Sequence, residues 1–333
     1  MTTATPEDSA LIDHASQSIA VGSKSFAAAS KLFDEPTRRS AVMLYAWCRH
    51  CDDVIDGQQA GHDAVPISPA EARVRLARLQ VQTRAVYAGA VLTEPAFAAL
   101  RQVVRKHHIP ERHAQEHLDG FAMDVVERHY ASVEDTLSYC YHVAGVVGLM
   151  MARVMGAQDE RTLDRACDLG LAFQLSNIAR DIVEDAKVGR CYLPAQWLAE
   201  MNIDPQHLTD PIYRPALAVL AKRLVDMAEP YYRSAHAGLP ALPWRSAWAV
   251  ATAAAVYRQI GVQVVAAGPQ AWDGRVSTSK VQKLGAALTG LWQAVTRRWR
   301  RWPDRPTGLW QRPHRPCAAA PDASRAIEPA GER

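Results

Sequence analysis

Two stretches of the chain set acidic side chains at helical spacing in otherwise apolar surroundings. Asp52 and Asp56 stand four residues apart in Arg49-His50-Cys51-Asp52-Asp53-Val54-Ile55-Asp56. Asn177, Asp181 and Asp185 repeat at the same interval in Asn177-Ile178-Ala179-Arg180-Asp181-Ile182-Val183-Glu184-Asp185. Residues four apart share one face of an α-helix, so each set forms a ladder. Like charges so placed repel, and burying them unpaired costs several kcal/mol more. A divalent cation offsets both penalties. Carboxylates with an amide carbonyl are all-oxygen donors, which suit Mg²⁺ completed by water and phosphate oxygens. Two facing ladders would hold several such ions and stabilise a departing diphosphate. An allylic carbocation left behind requires a chamber that is apolar and dry. A single D-x-x-x-D is usually a solvated face. These two lack lysine and are flanked by Tyr45, Trp47, Phe173 and Leu175, which favours the chemical reading.

The elements that must position the ladders are helices. Apolar residues recur at i, i+3, i+4 and i+7 along most of the chain, alanine is abundant, and β-branched alternation is scarce. Helices are expected over 8–20, 22–32, 36–57, 69–88, 93–107, 111–129, 133–155, 159–186, 194–199, 213–237, 243–268 and 277–300. Asp34-Glu35-Pro36 supplies the acidic residues and proline of a helix start, and Gly57 and Gly189 follow the two ladders as helix stops. No repeat of fixed period appears. The expectation is one all-α domain over 8–300, packed helix on helix. Residues 301–333, rich in proline, arginine and alanine, are expected to be a disordered tail.

Composition excludes several classes. Of 333 residues 48% are hydrophobic, enough for a large core, and a net charge of +3 gives no global signal for nucleic acid. Six cysteines suit free thiols in a reducing compartment. Cys48 and Cys51 form a C-x-x-C without a second pair, and read as core-facing thiols. His113 and His117 could ligate zinc, but no third ligand is evident and a solvated helix face is expected. The N-terminus does not read as a signal peptide, and no apolar run long enough to span a bilayer is evident. A cytoplasmic protein is the expectation. The run from Leu291 to Trp302 mixes tryptophan with arginine and could rest on an anionic lipid surface.

Five segments in order resemble the squalene/phytoene synthase family, covering about residues 15–290. They are Ser23-Lys24-Ser25-Phe26, Tyr45 to Asp56, Tyr139 to Gly148, Gln174 to Asp185, and Gly189 to Pro194. The resemblance implies an isoprenoid synthase helical bundle with a central cavity. It implies that Asp52, Asp56, Asn177, Asp181 and Asp185 carry Mg²⁺, with Mn²⁺ as the alternative. Tyr139 and Tyr192 would stand with Asp52, Asp56, Asp181 and Asp185 at the reacting carbons. Ser23, Lys24, Ser25, Phe26, Tyr45, Arg49, Gln174, Asn177, Arg180, Arg190, Tyr257 and Arg258 would bind substrate, with Lys187 a further diphosphate candidate. The implied reaction is head-to-head joining of two geranylgeranyl diphosphates through a cyclopropylcarbinyl diphosphate, the first committed step of carotenoid synthesis, with no NADPH. Three alternatives stay open: a synthase using C15 substrates, a non-catalytic assembly protein of the same fold, and a cyclase or chain-elongating prenyltransferase, since Asp52-Asp53-Val54-Ile55-Asp56 also fits D-D-x-x-D. Asp124 is expected to be a salt-bridge partner rather than a metal ligand.

Overall fold

The helix carrying the first ladder shows how sequence sets its ends. Asp34 caps it by accepting a 3.0 Å hydrogen bond from the Thr37 N–H, Pro36 sits in the first turn, and Gly57 ends it at φ 63°. The computed structural model describes residues 6–22, 24–58, 67–126 and 129–313. In chain order the helices are α1 (Pro6–Gly22), α2 (Lys24–Ser30), α3 (Glu35–Asp56), α4 (Pro69–Tyr87), α5 (Pro95–His107), α6 (Glu111–Val125), α7 (Val133–Cys140), α8 (Val146–Val154), α9 (Glu160–Lys187), α10 (Ala195–Glu200), α11 (Arg214–His236), α12 (Trp244–Ala267) and α13 (Lys280–Thr296). No strand occurs among the described residues.

Two cores form the two halves of the bundle. One gathers α7 to α9, α11 and α12 around Leu171, Leu175 and Ala247; the other gathers α3 to α6 around Trp47, Leu100 and Leu118. Val147 and Met151 of α8 pack against both. The cavity lies between the halves, lined by Leu44 and Phe121 from one and by Leu239 and Ala249 from the other.

The expected helix over 133–155 is interrupted. Tyr141–Gly145 form a π-helical turn between α7 and α8. Here α9 comes so close that a Cβ on Gly170 would meet the Ala144 carbonyl oxygen at 2.3 Å. A Cβ there would also meet the Gly145 Cα at 2.7 Å, so the two segments touch backbone to backbone. Gly170→Ala should therefore destabilise the fold by about 2–3 kcal/mol through overpacking. Gly285→Ala, inside α13 where an added Cβ meets nothing within 4 Å, should hold the thermal midpoint or raise it slightly in the same melts, a gain of up to about 1 kcal/mol.

Three expectations are corrected. His113 and His117 are buried, not solvated: 1% and 4% of their surfaces are accessible. The His117 ring lies 5.0 Å from Phe121 and 5.5 Å from Trp47, and burial lowers its pKa to about 4, so it is neutral. Two stretches, Val133–Val154 and Trp244–Trp272, do reach membrane-spanning length and hydropathy. Both line the cavity, whose apolar surface accounts for their composition. Residues 301–313 of the expected tail are docked on the bundle. Arg305 donates to both oxygens of Asp168 at 2.8 and 2.9 Å, and Arg312 to Asp164 at 2.8 Å and to Glu160. The Trp310 ring stands 5.4 Å from Tyr141. The segment lacks helical period, but α9 buries Asp164 and Asp168 at 4% and 0% exposure. Buried carboxylates require partners, and these arginines supply them. Residues 314–333 lie outside the described residues.

Candidate active site

The cavity has a volume of about 500 Å³, within the range of small-molecule sites, and its walls are mainly apolar. Its polar end gathers Arg49 and Asp52 from α3, Asp124 from α6, Gln174 and Asn177 from α9, and Arg190 from the segment after α9. Helical spacing places Asp52 and Asp56 one turn apart on α3, and Asn177, Asp181 and Asp185 one turn apart on α9. Arg190 spans the two sides: its Nη2 lies 2.5 Å from Asp56 Oδ1.

Each ladder is held by arginine. Arg49 contacts Asp52 at 2.8 Å and Asp53 at 2.7 Å. Arg180 folds onto its neighbour Asp181, with Nε 2.7 Å from Oδ1, and Arg275 stands 3.7 Å from the same carboxylate. Even so the carboxylates are crowded. Burial raises Asp52 to about 7, with Asp56 adding to the rise and Arg49 opposing it. Burial raises Asp185 to about 7 as well, reinforced by Asp181. About 36% of the Asp52 side chain is accessible, but that surface opens on the cavity, where protein displaces most of the water. For Arg190, burial is outweighed by the hydrogen bond to Asp56, and its charge is reinforced.

Tyr139 and Tyr192 stack at 4.4 Å between centroids, and both hydroxyls donate to Asp124, at 3.4 and 3.0 Å. Asp124, expected in a salt bridge, thus has two phenols as its hydrogen-bond partners, and burial raises it to about 6 with Arg190 opposing. Phe26 packs 5.4 Å from Tyr45, and Tyr257 stacks 4.2 Å from Phe173; all four line the cavity. Cys51 is buried, and Cys48 lines the cavity as a free thiol.

The site residues expected from the sequence separate as follows. Asp52, Asn177, Gln174, Arg49, Arg190, Tyr45, Tyr139, Tyr257 and Phe26 line the cavity. Asp56, Asp181, Arg180, Asp185 and Tyr192 join it through the contacts and charge couplings above. Arg258 does not: it is exposed and paired with Glu229 at 2.6 Å. Lys187 is exposed at the end of α9. Ser23 and the side chains of Lys24 and Ser25 lie outside the described residues. Sequence reasoning missed Arg275, a lone basic residue in a loop with no spacing to mark it, and Asp53 as the second partner of Arg49.

Among the described residues no three Asp, Glu, His or Cys side chains converge as a ready-made ion cage. A Mg²⁺ site completed by substrate phosphates needs only one or two carboxylates per ion. The donors are oxygens throughout, and two of the acids are held near neutrality by burial and a like-charged neighbour. That arrangement fits a divalent cation.

A family model described as squalene/phytoene synthase matches residues 19–282. A 15-cis-phytoene synthase from Pantoea ananas is 59% identical over 303 residues, covering 91% of this chain and 98% of that one. Another from Paracoccus sp. is 47% identical over 304 residues, covering 91% and 98%. Among solved structures, a dehydrosqualene synthase in complex with ligand superposes with TM-score 0.76 at 26% identity, covering 85% of this chain and 96% of that one.

Proposed function

The chain belongs to the squalene/phytoene synthase family, and from that membership we propose that it condenses two geranylgeranyl diphosphates head to head, through prephytoene diphosphate, to 15-cis-phytoene. The observation that carries the reading is 47–61% identity, over 88–91% of the chain, to curated phytoene synthases, joined to a cavity that is acidic at one end and apolar along its length.

Asp52, Asp56, Asn177, Asp181 and Asp185 are the residues that would hold Mg²⁺. When bound, the metal supplies neutralisation of the diphosphate charge. Arg49, Arg180, Arg190 and Arg275, which now neutralise those carboxylates, can turn their planar donor forks to phosphate oxygens. Tyr139 and Tyr192 keep their hydroxyls on Asp124. Their oxygens are thereby engaged; the two rings stack on each other, and Tyr139, backed by Tyr192, is the one that lines the cavity and would face a passing cation. Val143, Val147, Met151 and Leu169 exclude water from the chain-binding part.

Cavity depth supports the longer substrate. From Asn177 to Thr162 the cavity follows α9 for fifteen residues, about 22 Å at 1.5 Å per residue. Sixteen in-line carbons of a C20 prenyl chain, with bonds of ~1.5 Å, extend roughly 19 Å, and twelve of a C15 chain roughly 14 Å. Ala152 is buried and lines the deep part. Ala152→Phe should lower kcat/KM for the C20 substrate at least tenfold, about 1.4 kcal/mol, and spare a C15 substrate. Product mass with both substrates in parallel measures this.

The same measurement tests the function. Purified chain with geranylgeranyl diphosphate and Mg²⁺, without NADPH, should yield a C40 hydrocarbon. A C30 product from C15 substrate alone would move the chain to the dehydrosqualene type, and no product from either would leave an assembly role. A C40 hydrocarbon partitions into lipid, so work at the cytoplasmic face of a membrane is part of this proposal.

A further inference from the structure

The last helix of the bundle presents an unpartnered apolar stripe. Val281, Leu284, Leu288, Trp292, Val295 and Trp299 follow one another at steps of three and four, the spacing of a single helix face. All six point to solvent, with accessibilities of 79, 63, 61, 63, 51 and 80%. From Val281 to Val295 the helical part of the stripe is about 21 Å long, and Trp299 follows in the turn after α13. It is not waiting to fold inward. The opposite face of α13 is seated on α12, where Gly290 lies so close that an added Cβ would meet Thr252 Oγ1 at 2.5 Å, and the Trp248 indole N–H donates to the Ala287 carbonyl at 2.8 Å.

Charge selects the occupant. Between residues 274 and 303 there is no Asp or Glu. Lys280, Arg298, Arg300 and Arg301 are exposed and Lys283 half-exposed; Arg297 is turned inward onto the Ala294 and Leu242 carbonyls. A second copy docking face to face would oppose these cations to one another. An anionic bilayer meets them with phosphate, while the indoles and leucines enter the headgroup boundary. We propose that α13 and the Arg298–Trp299–Arg300–Arg301 turn form a docking face for an anionic lipid surface. The inference gives a location on the protein to the membrane reading above, and rests on it.

The face is also placed for release. α12 lies between it and the cavity, contributing Ala249, Val250 and Ala253 to the wall, and Leu242, whose carbonyl accepts from Arg297, lines the cavity too. Docking thus sets this end of the apolar chamber beside the phase into which a long hydrocarbon dissolves.

The test is flotation of the full chain with phosphatidylcholine vesicles, with and without about a third phosphatidylglycerol. The wild type should float with the anionic vesicles and release as NaCl is raised. Leu284→Ser/Leu288→Ser/Trp292→Ser should lose binding at least tenfold. Arg298→Glu/Arg300→Glu/Arg301→Glu should lose the anionic preference, each basic residue contributing roughly fivefold. Thermal melts report folding, and the exposed arginine variant keeps the test valid if the apolar triple fails to fold. Wild-type binding undiminished in both variants, or no wild-type binding at all, overturns the proposal. So does a dimer in size exclusion that the apolar substitutions dissolve, which would assign the stripe to a second copy. Synthase activity in detergent is read on the same samples: vesicle binding without activity sinks the proposed reaction and leaves the face standing.

Discussion

Asp52→Asn should lower kcat by roughly 10²–10³-fold while leaving the thermal midpoint in metal-free buffer unchanged or higher. The two halves of this expectation have one cause. Asp52 is raised to about 7 by burial, with Asp56 one turn away adding to the rise, so its charge is a burden on the ligand-free fold. Asparagine keeps the shape and removes the charge, and with it the ligand strength that a metal–diphosphate cluster would use. Asp185→Asn should behave alike, for burial and Asp181 raise it to about 7. The sign of the pH effect follows. The folded carboxyls take up protons near pH 7, and unfolded ones near the ordinary 3.8. Between those values the native state binds more protons, so stability falls as pH rises toward 7 and levels off above it. Without metal, the wild-type midpoint should rise between pH 8 and pH 6, and the difference from each Asn variant isolates that residue's share. A midpoint several degrees lower in Asp52→Asn would make the residue a structural one; undiminished turnover would remove it from the site.

Asp168→Ala is the second large expectation, and it runs the other way: stability lost, chemistry spared until the fold fails. Asp168 has no accessible surface and accepts from Ser234 Oγ at 2.5 Å and from Arg305 through both oxygens. Removing it leaves a guanidinium without its partner in a protein interior. Breaking a buried pair from one side costs about 3–5 kcal/mol, roughly 4–7 °C in a chain this size. Arg305→Ala should cost a similar amount by stranding the carboxylate. Asp168→Ala/Arg305→Ala, which strands neither charge, should be less destabilised than the sum of the two. Additive losses in denaturant melts would show that the pair is not coupled.

The parts legible in the sequence were those with a period. Asp52 to Asp56 and Asn177 to Asp185 declared themselves by four-residue spacing in apolar helices, and Asp34-Glu35-Pro36 and Gly57 marked the ends of α3 within one residue. What escaped had no period. The π turn at Tyr141–Gly145 lies where Gly170 comes against the backbone, a contact between segments that each read as ordinary helix. Arg305 and Arg312 sit in a proline-rich run whose composition says tail, and their partners Asp164 and Asp168 lie about 140 residues upstream. His113 and His117 have charged neighbours in sequence, yet α6 turns them inward. Arg258 adjoins Tyr257, but one step along a helix rotates a side chain by about 100°, which carries it from the cavity to the outside.

The docking of residues 301–313 on α9 has a consequence for the order in which the protein is made. The buried acids of α9 emerge from the ribosome well before the arginines that neutralise them. Until residues 305–312 follow, Asp164 and Asp168 have no Arg305 or Arg312 to meet, and burying them without those partners is costly, so that turn of α9 stays open to water. A nascent or proteolytically clipped chain that stops near residue 302 should therefore hold its central helix loosely, and a protease that opens the Trp302–Pro306 stretch would act on the middle of the bundle from its edge.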